Sequence, residues 1–99
     1  MIRHIVMFQL ASSDPAEKDA QVARAKTELE ALVGVVPGLR SMEVTRNGAY
    51  EGANMDFMLV ADFDDLAALE AYQVHPEHEK VAAYIGTIRS GRAAIDFEV

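Results

Sequence analysis

Ile2-Arg3-His4-Ile5-Val6-Met7-Phe8-Gln9-Leu10 is the stretch on which the fold turns. Successive side chains of a strand point to opposite faces. Here Ile2, His4, Val6, Phe8 and Leu10 share one face, and Arg3, Ile5, Met7 and Gln9 share the other. Both faces are largely apolar, so the strand is expected to be covered on both sides. The segment from Phe57 to Phe63 repeats this. Phe57, Leu59, Ala61 and Phe63 form one face, with Met58 and Val60 on the other.

Between these two strands, Ser12-Ser13-Asp14-Pro15 opens a helix. Asp14 can cap it, Pro15 fits the first helical position, and Glu17 stands where a capping box needs it. Val22, Ala25, Leu29 and Leu32 then recur at steps of three and four, one apolar stripe on a helix of about five turns. Gly34 and Pro37-Gly38 end it. Leu39 to Arg46 reads as a strand with Met42 and Val44 on one face, and Asn47–Asn54 as a loop.

After Phe63, either Asp64 or Asp65 caps a second helix whose apolar side is Leu66, Leu69 and Tyr72. His75-Pro76 interrupts it, because the residue before a proline disfavours helical geometry. The helix restarts at Pro76 with the stripe His78, Val81, Ala82, Ile85 and Ile88. Gly91 leads into a last strand, Ala93 to Val99.

The order β-α-β-β-α-β in residues 1–99 points to one α+β domain of ferredoxin-like topology, a four-stranded antiparallel sheet under helices. One sheet face packs on the helices. The other carries Ile5, Met7, Met58 and Val60, an association surface if left bare. A second copy laid sheet against sheet would cover it, so a homodimer closing into a dimeric α+β barrel is expected.

Composition narrows the function. Hydrophobic residues are 51% and charged residues 25% of the 99, as in a folded globular domain. Nine Lys and Arg against sixteen Asp and Glu give a net charge of −7, which argues against nucleic acid or an anionic membrane as partner. Without cysteine there is no disulfide, thiolate metal site or cysteine nucleophile. The longest apolar run, Phe57–Ala61, is too short to span a membrane. No targeting segment is read ahead of the first strand, and a cytoplasmic location is the default.

The chemistry concentrates in Tyr72-Gln73-Val74-His75-Pro76-Glu77-His78. His78 is on the apolar stripe of its helix and points inward. Burial and the positive end of the helix dipole both favour its neutral form, as a general base requires. His4 sits on the bulkier face of the first strand, the face expected under the helices. His4, Tyr72 and His78 can therefore converge: an imidazole base, a phenol to bind a carbonyl oxygen, and a second imidazole to orient. The plainer reading makes His78 a hydrogen-bonded core residue, His75 a cap and Tyr72 a packing group. His75 and His78 do not suggest a metal site, lacking a third ligand. Phosphate loops, nucleophile elbows and dinucleotide fingerprints are absent.

The opening Ile2-Arg3-His4-Ile5-Val6-Met7-Phe8, the Val36-Pro37-Gly38-Leu39 turn, the Tyr72–His78 segment and the closing Ile95-Asp96-Phe97 together resemble the stress-responsive A/B barrel domain (Dabb) family over essentially the whole chain. The resemblance implies the homodimeric barrel described above. A distant relative in that family, olivetolic acid cyclase, closes a linear poly-β-ketone by an aldol-type step without a cofactor. Its catalytic Tyr and His fall on Tyr72 and His78, and a pocket His on His4. This chain departs from it at Phe57, Leu29 and Arg89, where the cyclase has a His, an aromatic and a Trp. Some relatives hold a cation on backbone carbonyls, here those of Val33, Val36 and Leu39.

Two readings follow. One is a cofactor-independent lyase or cyclase acting on an enolisable carbonyl compound, with His78 as base, Tyr72 as oxygen partner and His4 orienting. Its pocket would take a small apolar or aromatic molecule and be lined by Val6, Phe8, Leu29, Phe57, Leu59 and Val81. The other is a non-catalytic dimeric barrel that binds a small ligand or persists under stress. Neither reading calls for a cofactor. Fold alone does not choose between them.

Overall fold

A computed structural model describes residues 1–99. The first strand, β1, is Ile2–Leu10 and the first helix, α1, is Pro15–Glu30. Asp14 caps α1, its carboxylate accepting from the Ala16 N–H at 3.1 Å, with Pro15 in the first turn. The capping box does not form. Glu17 instead accepts from the Gln21 amide one turn along, and the Asp14 N–H donates to Ser12 Oγ. At 16 residues α1 is shorter than five turns, and Leu32 is buried from the turn that follows.

Strand β2, Leu39–Arg46, and strand β3, Phe57–Phe63, pair antiparallel, with a register shift between Leu39 and Ser41. Gly38, just before β2, has φ +82°, and a Cβ there would lie 2.6 Å from that of Ala68. Glycine is the residue that allows both the left-handed backbone and the close approach.

Helix α2, Leu66–Gln73, is capped by Asp65, which accepts from the Ala68 N–H at 2.8 Å. Asp64 takes no part in the cap and pairs with Arg40. Leu69 and Tyr72 are buried as expected, but Leu66, the first residue of α2, is exposed. His75 separates α2 from α3, Pro76–Ile88. Its Nδ1 accepts from the Glu77 N–H at 3.1 Å, so it caps α3 directly ahead of the proline. The last strand, β4, is Arg89–Glu98. It begins at Arg89 rather than Ala93 because α3 passes into it with no intervening loop.

The four strands form one antiparallel sheet in the order β2-β3-β1-β4, the ferredoxin-like arrangement. All three helices lie on one side. The twenty-residue core is built from the helix side of β1, β2 and β3 against α1, α2 and α3, and Ile88 is its last member in sequence. A buried ion pair locks the β1–β3 end of the sheet. Asp56 accepts from Lys18 Nζ at 3.0 Å and from the Leu10 N–H at 2.6 Å.

On the opposite face nothing covers the sheet. Met7, Ile95 and Phe97 are 40%, 59% and 40% exposed, and Ile5, Met58 and Val60 are part-exposed beside them. No helix is long and apolar enough to cross a membrane.

Candidate functional site

The site is assembled by three short-range devices and one long-range pairing. The β1 alternation turns His4 under the helices, opposite Ala61 of β3 and Asp96 of β4. The last turn of α2 brings Tyr72 down onto Phe63, ring centroids 4.9 Å apart in an edge-on arrangement. The His75 cap fixes where α3 starts and so places its third residue, His78, inward. The His78 and Tyr72 rings lie in contact, 4.0 Å between centroids and tilted by 37°. His4 stands 6.4 Å from Tyr72 on the other side.

These three side chains border a cavity of about 130 Å³. Its floor is Val6, Phe8 and Leu59; Leu29 and Ile85 form its walls; Ala82, Arg89 and Arg92 rim its mouth. A cavity of about 150 Å³ is enough to hold benzene, so this one takes a molecule of roughly one ring.

Two of the six expected lining residues lie elsewhere. Phe57 stacks on Phe8, 4.9 Å between centroids, and faces the opposite end of the sheet. Val81 is buried in the core. Ala82 takes its place, because four helical residues advance about 40° around the axis from His78 whereas three fall about 60° short. Val6, Phe8, Leu29 and Leu59 line the cavity.

The polar atoms are disposed unequally. His78 Nδ1 is enclosed and has no hydrogen-bond partner. Its Nε2 makes no hydrogen bond within the chain, and the His78 ring borders the cavity. Desolvation lowers the His78 pKa, with smaller contributions in the same direction from His4 and His75. The Gln73 carbonyl and Glu79 act the other way. The Tyr72 hydroxyl makes no hydrogen bond within the chain, and burial raises its pKa, Arg92 opposing. It therefore stays protonated and available as a donor.

His4 is held differently. Its Nδ1 is in close contact with Asp96 Oδ1 across the β1–β4 pairing. A carboxylate on Nδ1 fixes the tautomer and leaves Nε2 as the free nitrogen. Asp96 was not among the expected site residues. Its alternation along β4 is visible in sequence, but its partner is 92 positions away.

A larger hollow of about 330 Å³ lies at the far end, lined by Met7, Met55, Phe57 and Met58 among others. Its one charged group, Arg46, is engaged with Glu51, Asp19 and the Asp56 carbonyl. It offers no acid or base. No cluster of three metal-ligating His, Asp or Glu side chains occurs in the chain. The Val36 carbonyl in the turn after α1 accepts from the Leu39 N–H.

The chain that carries this arrangement matches a known sequence family over nearly its whole length. The profile described as Stress responsive A/B Barrel Domain matches residues 2–99. The chain belongs to that family. An uncharacterized protein of Streptomyces coelicolor is 35% identical over 80 residues, 80% of each chain. A dimeric protein of ferredoxin-like fold from Bacteroides fragilis superposes with a TM-score of 0.88 at 30% identity, over 99% of this chain and 95% of that one. A dimeric ferredoxin-like protein from Thermobifida fusca gives 0.83 at 31% identity, over 99% and 90%. Both are described as of unknown function. The α+β, ferredoxin-like fold expected from the sequence is thus that of these solved relatives.

Proposed function

We propose that this chain is a homodimeric A/B barrel, acting in the cytoplasm, whose cavity carries out cofactor-independent proton abstraction beside a carbonyl, a reaction of the lyase or cyclase class. The observation that carries this reading is the meeting of a Tyr72 hydroxyl and a His78 imidazole, neither hydrogen-bonded within the chain, at one cavity of single-ring size. In the proposed step neutral His78 takes the proton from the carbon next to a carbonyl. The electron pair moves into the carbonyl, and the Tyr72 hydroxyl donates to the oxygen as negative charge develops. Donors already aimed at a developing charge need no reorganisation during reaction. The enolate carbon then attacks a second carbonyl, and the protonated His78 gives its proton to the alkoxide formed; where the enolate instead expels a group from the β-carbon, the departing group takes that proton. His4, oriented by Asp96, positions the substrate.

The test is hydrogen–deuterium exchange at the α-carbon of a β-keto ester, followed by NMR. The wild type should accelerate exchange, and His78→Ala should lose about 10²–10⁴-fold, the range a positioned base contributes. Equal rates in the two proteins would remove the base assignment. The direct ring contact between Tyr72 and His78 favours the second reading, a barrel that binds a small ligand without turning it over. That reading expects ligand binding with no exchange above background.

The dimer is proposed from the open sheet face, where Ile5, Met7, Met58, Val60, Ile95 and Phe97 are uncovered, and from the dimeric state of the solved relatives. A standard interface buries about 800 Å² per partner. Light scattering at micromolar concentration should give twice 10.8 kDa for the wild type and a monomer for Met58→Asp. A monomeric wild type would refute the barrel.

A further inference from the structure

The basic side chains divide sharply by partner. Arg3 pairs with Asp62, Arg24 with Glu28, Arg40 with Asp64, and Arg46 with Glu51. Lys18 pairs with Asp56, Lys26 with Glu30, and Lys80 with Glu77. Of the nine Lys and Arg in the chain, only Arg89 and Arg92 make no salt bridge. With sixteen carboxylates available, a partner is the rule for a cation on this surface. Both exceptions stand at the mouth of the same cavity.

We propose that Arg89 and Arg92 form a carboxylate-recognition pair, so that the ligand of this cavity is a small monocarboxylic acid whose carbonyl-bearing or aromatic body lies in the cavity beside Tyr72 and His78. The inference rests on the cavity being the ligand site. Register supports it. Arg89 lies opposite Leu10 and Arg92 opposite Phe8 on the β4 edge, so both sit on the helix side of the sheet, the side of His4. Arg92 is near enough to the Tyr72 phenol to act on it electrostatically. The one carboxylate farther along that face of β4 and lining up with the site, Asp96, is committed to His4 and leaves the guanidinium groups free. A guanidinium presents a planar fork of donors that fits a carboxylate in bidentate fashion.

Size and polarity then define the molecule. The interior is apolar apart from the Tyr72, His4 and His78 groups, and its volume of about 130 Å³ admits one ring or an equivalent short chain. An acidic ligand approaching a chain of net charge −7 would meet unpaired cationic side chains at this mouth.

The experiment titrates the full-length protein with benzoate and with benzamide, which match in shape and differ in charge, following the Tyr72 and His78 ring signals by NMR. Benzoate should bind on the order of tenfold to a hundredfold more tightly than benzamide, as charge-assisted hydrogen bonds predict. The variant carrying Arg89→Gln with Arg92→Gln should bind the two equally. Both sites are exposed, so the variant should fold, and Arg24→Gln, a paired arginine, should leave the preference intact. Equal binding of both probes by the wild type overturns the carboxylate assignment while the cavity stands as a ligand site. If neither probe moves the ring signals, the cavity reading fails and this inference with it. A fall of the double variant to monomer mass, with the preference for benzoate kept, would assign the arginines to contact between copies and also overturn it.

Discussion

Over β2 and β3 the helix side of the sheet is sealed. Leu39, Met42, Val44, Phe57, Leu59, Ala61 and Phe63 are all buried there against the helices. Over β4 the same side is bare: no residue of that strand is buried, and what it presents near the helices is Arg89, Arg92 and Asp96. One half of the sheet therefore secures the fold through apolar contact, and the other carries polar side chains, Asp96 holding His4 and the two arginines unpaired. The difference teaches where substitutions should be felt. Substitutions in the β2–β3 half should act on stability, and those at the seam between β1, β4 and α3 on the proposed ligand site.

The largest expected effect is in the sealed half. Phe63→Ala removes a fully buried ring that packs on Tyr72, and should cost about 3–5 kcal/mol in denaturant unfolding. A loss below about 1 kcal/mol would erase the contrast between the halves. Tyr72→Phe, at the boundary, should behave differently. Its hydroxyl has no partner in the protein, so stability should stay within about 0.5 kcal/mol of wild type while binding of a carbonyl ligand weakens by about 0.5–1.5 kcal/mol. Were stability to fall and binding to hold, Tyr72 would belong to the sealed half.

The smallest effect is a pH dependence. The folded protein lowers the His78 pKa through desolvation, His4 and His75 adding to this and the Gln73 carbonyl and Glu79 opposing. The unfolded chain therefore takes up the proton first as pH falls. The stability contributed by neutral His78 is complete above the unfolded value, about 6.5, and is lost as pH drops from there through the folded value. Unfolding curves of the wild type and His78→Gln, compared from about pH 8 to about pH 5, should converge toward the acid end. Parallel curves would place His78 in a solvated setting.

What the sequence revealed followed the range of the interactions involved. Asp14, Asp65 and His75 act within three residues of the groups they cap, so the helix starts were legible, although the choice between Asp64 and Asp65 was settled by Arg40 on another strand. The inward settings of His4 and His78 followed from periods of two and three-to-four. Val81 and Ala82 both satisfy the helical stripe, and only the position of the cavity separates them. Asp96 and Arg92 were hidden for another reason. Their roles depend on the β1–β4 register, and in isolation β4 reads as an exposed edge strand with scattered charge.

The pairing of the first strand with the last has a consequence for assembly during synthesis. Every member of the apolar core has been made by Ile88, whereas Arg89, Arg92 and Asp96 follow it. His4 must wait for a partner 92 positions downstream, one of the longest loops to close in the molecule. A growing chain that has released residues 1–88 already holds the side chains that drive collapse, but lacks the strand that completes the cavity mouth and fixes the His4 tautomer. Maturation of the pocket is thus a late, separate event from collapse, and a chain arrested before β4 would be condensed yet inert.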